Sequence, residues 1–259
     1  MRFCSLGSGS GGNATLVEAS QGITTTRVLI DAGFSERELG RRLARAGCAT
    51  TDIDAVFVTH EHGDHVGCAL GFARRHGIPL ITSRGTWGAI GRDDFDARLL
   101  RWVRGGERLS VGDLELQPFS VPHDAREPLQ LCLSDGDRRL GIVTDLGCAP
   151  DSVCDALQRC HALLLECNHD EELLRSGPYP PQLKRRILGT HGHLSNAAAA
   201  DLLSRCRCDA LGAVVAAHLS EKNNSPALVR EALAPVLQCA AEEIRVADPR
   251  LGWDWLALG

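Results

Sequence analysis

Seven consecutive residues, Thr59-His60-Glu61-His62-Gly63-Asp64-His65, constrain this chain more than any other stretch of its sequence. They follow a short apolar, β-branched run at residues 55–59 and precede a helical pattern at 64–75, so they occupy a strand-to-helix turn. In the extended part, His60 and His62 are one residue apart and point to the same side, whereas Asp64 and His65 fall in the first helical turn and face back across the loop. This spacing supplies two pairs of metal ligands. Four such groups would overfill one cation that must keep an exchangeable position, so two adjacent cations with further ligands from elsewhere fit better. A lone His is most often structural. On that ground His76, at the end of a basic helical segment, is assigned to the helix C-terminus, and His161 to a strand start.

The rest of the chain is mixed α and β. Strand-like runs occur at 28–31, 55–59, 80–82, 114–119, 129–133, 140–144, 162–166 and 211–216, and helical periodicity at 35–46, 64–75, 150–157, 195–206 and 225–233. With neither a fixed-period repeat nor a long Gly/Pro/Ser linker, one domain over residues 1–259 is expected. Residues 176–182, with three prolines and a glycine, are expected to form a rigid loop.

Composition narrows the function classes. The 28 basic and 33 acidic residues give a net charge of −5, which leaves no whole-molecule positive field for nucleic acid. Any anionic substrate must therefore be held locally. A single Tyr argues against an extended groove of stacked bases. The first thirty residues lack a basic segment followed by an apolar one, and no uncharged apolar run reaches bilayer length. Eleven cysteines without a C-x-x-C pair fit reduced thiols. A soluble cytoplasmic protein is expected, and Cys206-Arg207-Cys208 lacks the partner cluster of a structural zinc site.

H-x-H-x-D-H after a strand resembles the signature of the metallo-β-lactamase fold hydrolases, and the likeness continues through the chain. His123 in Pro122-His123-Asp124, Asp145 in Thr144-Asp145-Leu146-Gly147 and His218 in Ala217-His218-Leu219-Ser220 follow in that family's order. The resemblance implies a four-layer αββα sandwich with its site at the strand ends. It puts His60, His62 and His123 on one cation and Asp64, His65 and His218 on a second, with Asp145 shared. Asp31 would brace the ligand loop without touching metal. Iron-binding flavodiiron relatives carry Glu where His62 stands, so the resemblance is to the hydrolytic branch, and imidazole-rich ligation suits Zn or Mn. Two such cations would make a bridging hydroxide available near neutral pH, with Asp64 part of the catalytic centre.

Further segments bear on the substrate. Gly7-Ser8-Gly9-Ser10-Gly11-Gly12-Asn13 is either an anion-approaching loop or a plain tight turn. Together with Glu166-Cys167-Asn168-His169-Asp170, Gly192-His193-Leu194-Ser195-Asn196 and His218-Leu219-Ser220-Glu221-Lys222-Asn223-Asn224, it resembles the small bacterial phosphodiesterases of the YycJ (WalJ) type, proposed DNA exonucleases. The Asn168-His169 pair is also similar to one in the β-CASP nucleases, whose long insertion is absent here. Ser10, Asn13, Asn168, His169, Ser220 and Asn224 become candidate substrate contacts. His193, outside the ligand set, is a candidate general acid or else a partner of the following helix start. Of the 28 basic residues 26 are Arg, suited to phosphate, and residues 184–186 lie nearest the His193 loop. Two other functions stay open at this point: hydrolysis of a small thioester, lactone or cyclic phosphodiester, and a non-catalytic, metal-stabilised nucleic-acid-binding module.

Overall fold

A computed structural model describes residues 1–91 and 94–259. Along the chain the strands are β1 (Arg2–Gly7), β2 (Ala14–Gln21), β3 (Thr24–Ile30), β4 (Ala55–Phe57), β5 (Leu80–Thr82), β6 (Leu100–Trp102), β7 (Leu109–Val111), β8 (Leu114–Ser120), β9 (Leu129–Ser134), β10 (Arg139–Val143), β11 (Ala162–Glu166), β12 (Ala213–Ala217), β13 (Arg245–Val246) and β14 (Trp253–Ala257). They form two seven-stranded sheets, ordered β14-β1-β2-β3-β4-β5-β6 and β13-β12-β11-β10-β9-β8-β7. Both sheets follow one plan. The pairings from β14 to β3 and from β7 to β10 are antiparallel, and those from β3 to β6 and from β10 to β13 are parallel.

The central strands are apolar on both faces, as buried parallel strands must be. In β3, Val28 and Ile30 turn inward between the sheets while Leu29 turns out under the helices; in β11, Leu164 faces inward and Leu163 and Leu165 outward. Phe3, Phe57, Leu116, Leu131 and Ile142 fill the space between the sheets. Helices Glu36–Arg45 and Ala69–His76 cover the first sheet through Leu39, Leu43 and Phe72. Helices Asp151–Leu157, Asn196–Cys206 and Pro226–Leu237 cover the second through Val153, Leu202, Leu203 and Leu233. Each such side chain contributes about 1.5–3 kcal/mol by leaving water. The result is the expected αββα sandwich, with layers that no single sheet could bury alone.

Two expectations change in detail. The helix expected over 64–75 is two helices, Gly63–Val66 and Ala69–His76. Gly67 breaks it at φ 35°, and a Cβ there would lie 2.3 Å from the Ala32 carbonyl oxygen. The break lets the loop after β3 dock against the ligand run, with Ala32 N donating to His65 O (2.8 Å) and Cys68 N to Ala32 O (3.0 Å). The Pro-rich loop is shorter than expected, because helix Glu171–Ser176 precedes it and helix Pro181–Ile187 follows with proline at its first turn. Strands β6, β7, β13 and β14 lie at or near sheet edges, where partial exposure blurs the apolar pattern.

Candidate metal centre

The parallel halves of the two sheets deliver their carboxyl ends to one rim. Asp31 follows β3, His60 lies beyond β4, Asp145 beyond β10, Asn168 beyond β11, and His218 follows β12. Open sheets bind ligands at such ends. Asp31, Asp145 and His218 take left-handed backbone with φ 60°, 60° and 56°, a conformation costing roughly 1–3 kcal/mol each for residues other than glycine. Neighbours hold two of these turns in place: Asp31 N donates to Phe57 O (2.7 Å), and His218 N donates to Ser8 Oγ (2.9 Å).

Four histidines have their outer ring nitrogen committed. His60 Nδ1 lies 3.0 Å from Thr59 Oγ1, and His65 Nδ1 2.7 Å from Asp31 Oδ2. His123 Nδ1 lies 3.0 Å from the Gly192 carbonyl, and His218 Nδ1 3.1 Å from Glu166 Oε1. Thr59 Oγ1 itself donates to Asp31 Oδ2 (2.8 Å), which leaves it to accept from His60. Each acceptor fixes a proton on Nδ1, which makes Nε2 the nitrogen able to turn its lone pair to a cation. His62 is reversed: its Nδ1 faces His60 and His123, and its Nε2 lies 3.8 Å from Asp124.

The free nitrogens converge. His60 Nε2 and His123 Nε2 lie 3.1 and 3.3 Å from His62 Nδ1. Two imidazole nitrogens bonded to one tetrahedral cation at 2.0–2.1 Å stand about 3.3 Å apart, so this trio has the spacing of a ligand set. In the second group, His65 Nε2 lies 3.0 Å from Asp145 Oδ2 and 3.7 Å from Asp64 Oδ2. His218 Nε2 lies 3.5 Å from Asp145 Oδ1 and 3.8 Å from Asp64 Oδ2. Asp145 groups with both sets, within reach of His60 and His65 on one side and His218 on the other.

Charge and burial agree with cation binding. Asp145 Oδ2 and His218 Nε2 are buried and make no well-formed hydrogen bond, although His65 Nε2 lies 3.0 Å from that oxygen, and a buried carboxylate needs positive charge beside it. Burial would raise the Asp145 pKa, but His218 and His65 outweigh it and hold the carboxyl well below its usual range. Burial, with the charge of His65, pushes His60 well below the usual imidazole value, leaving it neutral as a ligand must be. His218 is pushed the other way, to about 10: burial opposes the shift, and Asp145, Asp64 and Glu166 overcome it. The negative field that would keep a proton there equally favours a metal ion in its place. The residues present fit divalent cations.

Of the substrate candidates, Ser10, Asn168 and Ser220 line a cleft of about 400 Å³ together with Asp64, Asp145, His193 and His218. Asn168 also donates to His218 O (3.0 Å). Asn13, His169 and Asn224 do not line it. Asn13 donates to Gly9 O (3.1 Å) and reaches 3.0 Å from His65 Nε2, so it packs beside the second ligand group. Asn224 pairs with Asn196 and donates to Cys167 O (2.8 Å). His169 is buried, with neither ring nitrogen partnered. His193 is not the helix-start partner, since Ser195 caps that helix by accepting from Ala198 N.

Sequence reasoning gave no role to Glu166. It is fully buried; Oε1 faces His193 Nδ1 (2.7 Å) and His218 Nδ1, and Oε2 accepts from Leu146 N and Leu194 N, both at 3.1 Å. Its only sequence signal was its place in the Glu-x-Asn-His-Asp segment. Burial works against His193, but Glu166 raises that pKa above the usual imidazole value. Asp124 was missed too: it accepts from Arg186 Nε and sits 3.4 Å from His123 Nε2.

Comparison with known proteins identifies the family. A family model described as a β-lactamase superfamily domain matches residues 26–218. The chain is 33% identical to Exodeoxyribonuclease YycJ of Bacillus anthracis, over 97% of each chain. It is also 33% identical to Exodeoxyribonuclease WalJ of Streptococcus pneumoniae serotype 2, over 86% of this chain and 83% of the relative. Among solved structures, the metallo-β-lactamase fold protein YhfI of Bacillus subtilis superposes with a TM-score of 0.73 at 15% identity, covering 97% of this chain and 98% of that one. The chain therefore belongs to the β-lactamase superfamily, with the metallo-β-lactamase fold, and counts YycJ and WalJ among its relatives.

Proposed function

We propose that this chain is a dinuclear metal-dependent phosphodiesterase that shortens DNA from its ends, its 259 residues working as one domain in the cytoplasm. The observation that carries this reading is the convergence of buried imidazoles and carboxylates into ligand groups that share Asp145, with Asp145 Oδ2 and His218 Nε2 making no well-formed hydrogen bond. His60, His62 and His123 would hold one cation and Asp64, His65 and His218 the other, with Asp145 shared, and Zn or Mn suits so imidazole-rich a set. When bound, two such ions acidify a water molecule and neutralise charge on a phosphoryl oxygen.

The chain's own side chains do the rest. His193 is anchored through Nδ1 to Glu166, its edge lines the cleft, and the Glu166 carboxylate raises its pKa above the usual imidazole value, favouring the form that carries a second proton. His193 can give that proton to the departing oxygen. Arg186, tied to Asp124 at the cleft rim, offers a forked cation for a neighbouring phosphate, and Ser10, Asn168 and Ser220 offer hydrogen bonds. The names of YycJ and WalJ support DNA as the substrate. Eleven free cysteines support a reducing compartment, and among the described residues no helix is long and apolar enough to cross a membrane.

The test is a panel of end-labelled DNA, RNA and a thioester, each assayed with Zn or Mn. Metal-dependent nucleotide release from DNA, abolished in Asp64→Ala, is expected. Turnover of the thioester with intact DNA would overturn the reading, as would tight DNA binding without turnover.

A further inference from the structure

The metal cleft is polar on the side of its ligands, but Tyr179, Leu183 and Ile187 also line it. Leu183 and Ile187 stand four residues apart, on one face of helix Pro181–Ile187. Tyr179 is the only tyrosine in the chain and sits just ahead of that helix, between Pro178 and Pro180, which restrict its backbone. Both ends of this segment are tied down. Gly177 N donates to Leu173 O (2.7 Å), and Lys184 Nζ donates to Arg175 O (2.7 Å), linking the two flanking helices. Lys222 Nζ lies 5.6 Å from the Tyr179 ring centroid.

A substrate that offered only a phosphate would need cations and hydrogen-bond donors here. An aromatic ring and two aliphatic side chains lining the same cleft as the metal ligands suit a flat apolar group attached to the phosphate. A nucleobase is such a group. The cleft volume of about 400 Å³ falls in the range of small-ligand sites, which matches one nucleotide better than a paired duplex end.

We propose that Tyr179 is the stacking platform for the terminal nucleobase beside the scissile phosphodiester, so that the cleft accepts one unpaired nucleotide at a strand end. This rests on the DNA-hydrolase reading above and adds how the end is recognised. One platform is also consistent with a composition too poor in aromatics for an extended stacking groove.

The experiment is a cycle between protein and DNA. Wild type, Tyr179→Phe and Tyr179→Ala, each loaded with metal and matched for melting temperature and metal content, are assayed on duplexes with an intact terminal nucleotide or an abasic tetrahydrofuran analogue. The substitution is placed at either strand end in turn. Removing the base at the reacting end should lower wild-type kcat/KM by roughly 5- to 150-fold. Tyr179→Ala should lose a similar factor on intact DNA and almost nothing more on abasic DNA, while Tyr179→Phe keeps the wild-type preference. If the two losses multiply independently, or if neither change affects kcat/KM, the stacking assignment is wrong. If wild type releases nothing from intact DNA, the nuclease reading falls and the stacking role falls with it.

Discussion

Glu166→Gln separates a bracing carboxylate from a merely buried one. Each Glu166 oxygen serves two partners: the Nδ1 atoms of His193 and His218 on one side, the backbone N–H groups of Leu146 and Leu194 on the other. Glutamine has the same shape but only one acceptor end. If its oxygen stays with the backbone, its NH2 meets two imidazole Nδ1 atoms, and both rings must move their proton to Nε2. His218 then has no lone pair to offer a cation, and His193 is no longer held as an acid. If the amide turns over, two buried N–H groups lose their acceptor, at about 1–3 kcal/mol each. The first arrangement is cheaper. The expected result is therefore a small loss of stability, a 10- to 100-fold loss of metal affinity and a fall in kcat of roughly 10²- to 10⁴-fold. Competition against a chromophoric chelator, thermal melting and turnover of labelled DNA measure the three quantities. A Glu166→Gln protein that binds metal and cleaves DNA like wild type would refute the tautomer argument.

Four further outcomes are expected. His193→Ala should keep its metal, measured by elemental analysis, and lose kcat by roughly 10²- to 10⁴-fold; full turnover would remove the proton-donor assignment. Gly33→Ala would place a Cβ 1.7 Å from the Asp64 carbonyl oxygen, a backbone clash expected to destabilise by more than about 3 kcal/mol. Gly11→Ala, with nothing within 4 Å of its added Cβ, should change the unfolding free energy by less than about 0.5 kcal/mol. Gln238, exposed, ends helix Pro226–Leu237 with φ 55°, so Gln238→Gly should stabilise by roughly 0.5–1 kcal/mol and raise the melting temperature by about 1–4 °C. A lower melting temperature would contradict the strain argument.

The residues grouped by the metal-binding pattern were legible because their signal is local: tight spacing in 59–65 and single polar residues where β-branched runs stop. The mixed α and β class was legible in short apolar runs such as β11 set between helical patterns, whereas the αββα layering was implied only by the family resemblance. What stayed hidden depends on contacts distant in sequence. Nothing near Gly67 announces that the Ala32 carbonyl lies against it, so apolar periodicity reads through the break. Glu166 looks like the polar end of a strand, and only the arrival of His193 and His218 from 27 and 52 residues away makes it a brace. Asn224 looks like a rim residue until Asn196 is folded against it. Tyr179 is unremarkable among prolines until the cleft forms around it.

Two ions are proposed to sit among seven named side chains. Anomalous diffraction from crystals grown with Zn or Mn, supported by elemental analysis in solution, measures this directly. Two ions per chain are expected, one against His60, His62 and His123, the other against Asp64, His65 and His218, with Asp145 touching both. Protein that retains no metal, or ions bound away from these residues, would contradict that expectation.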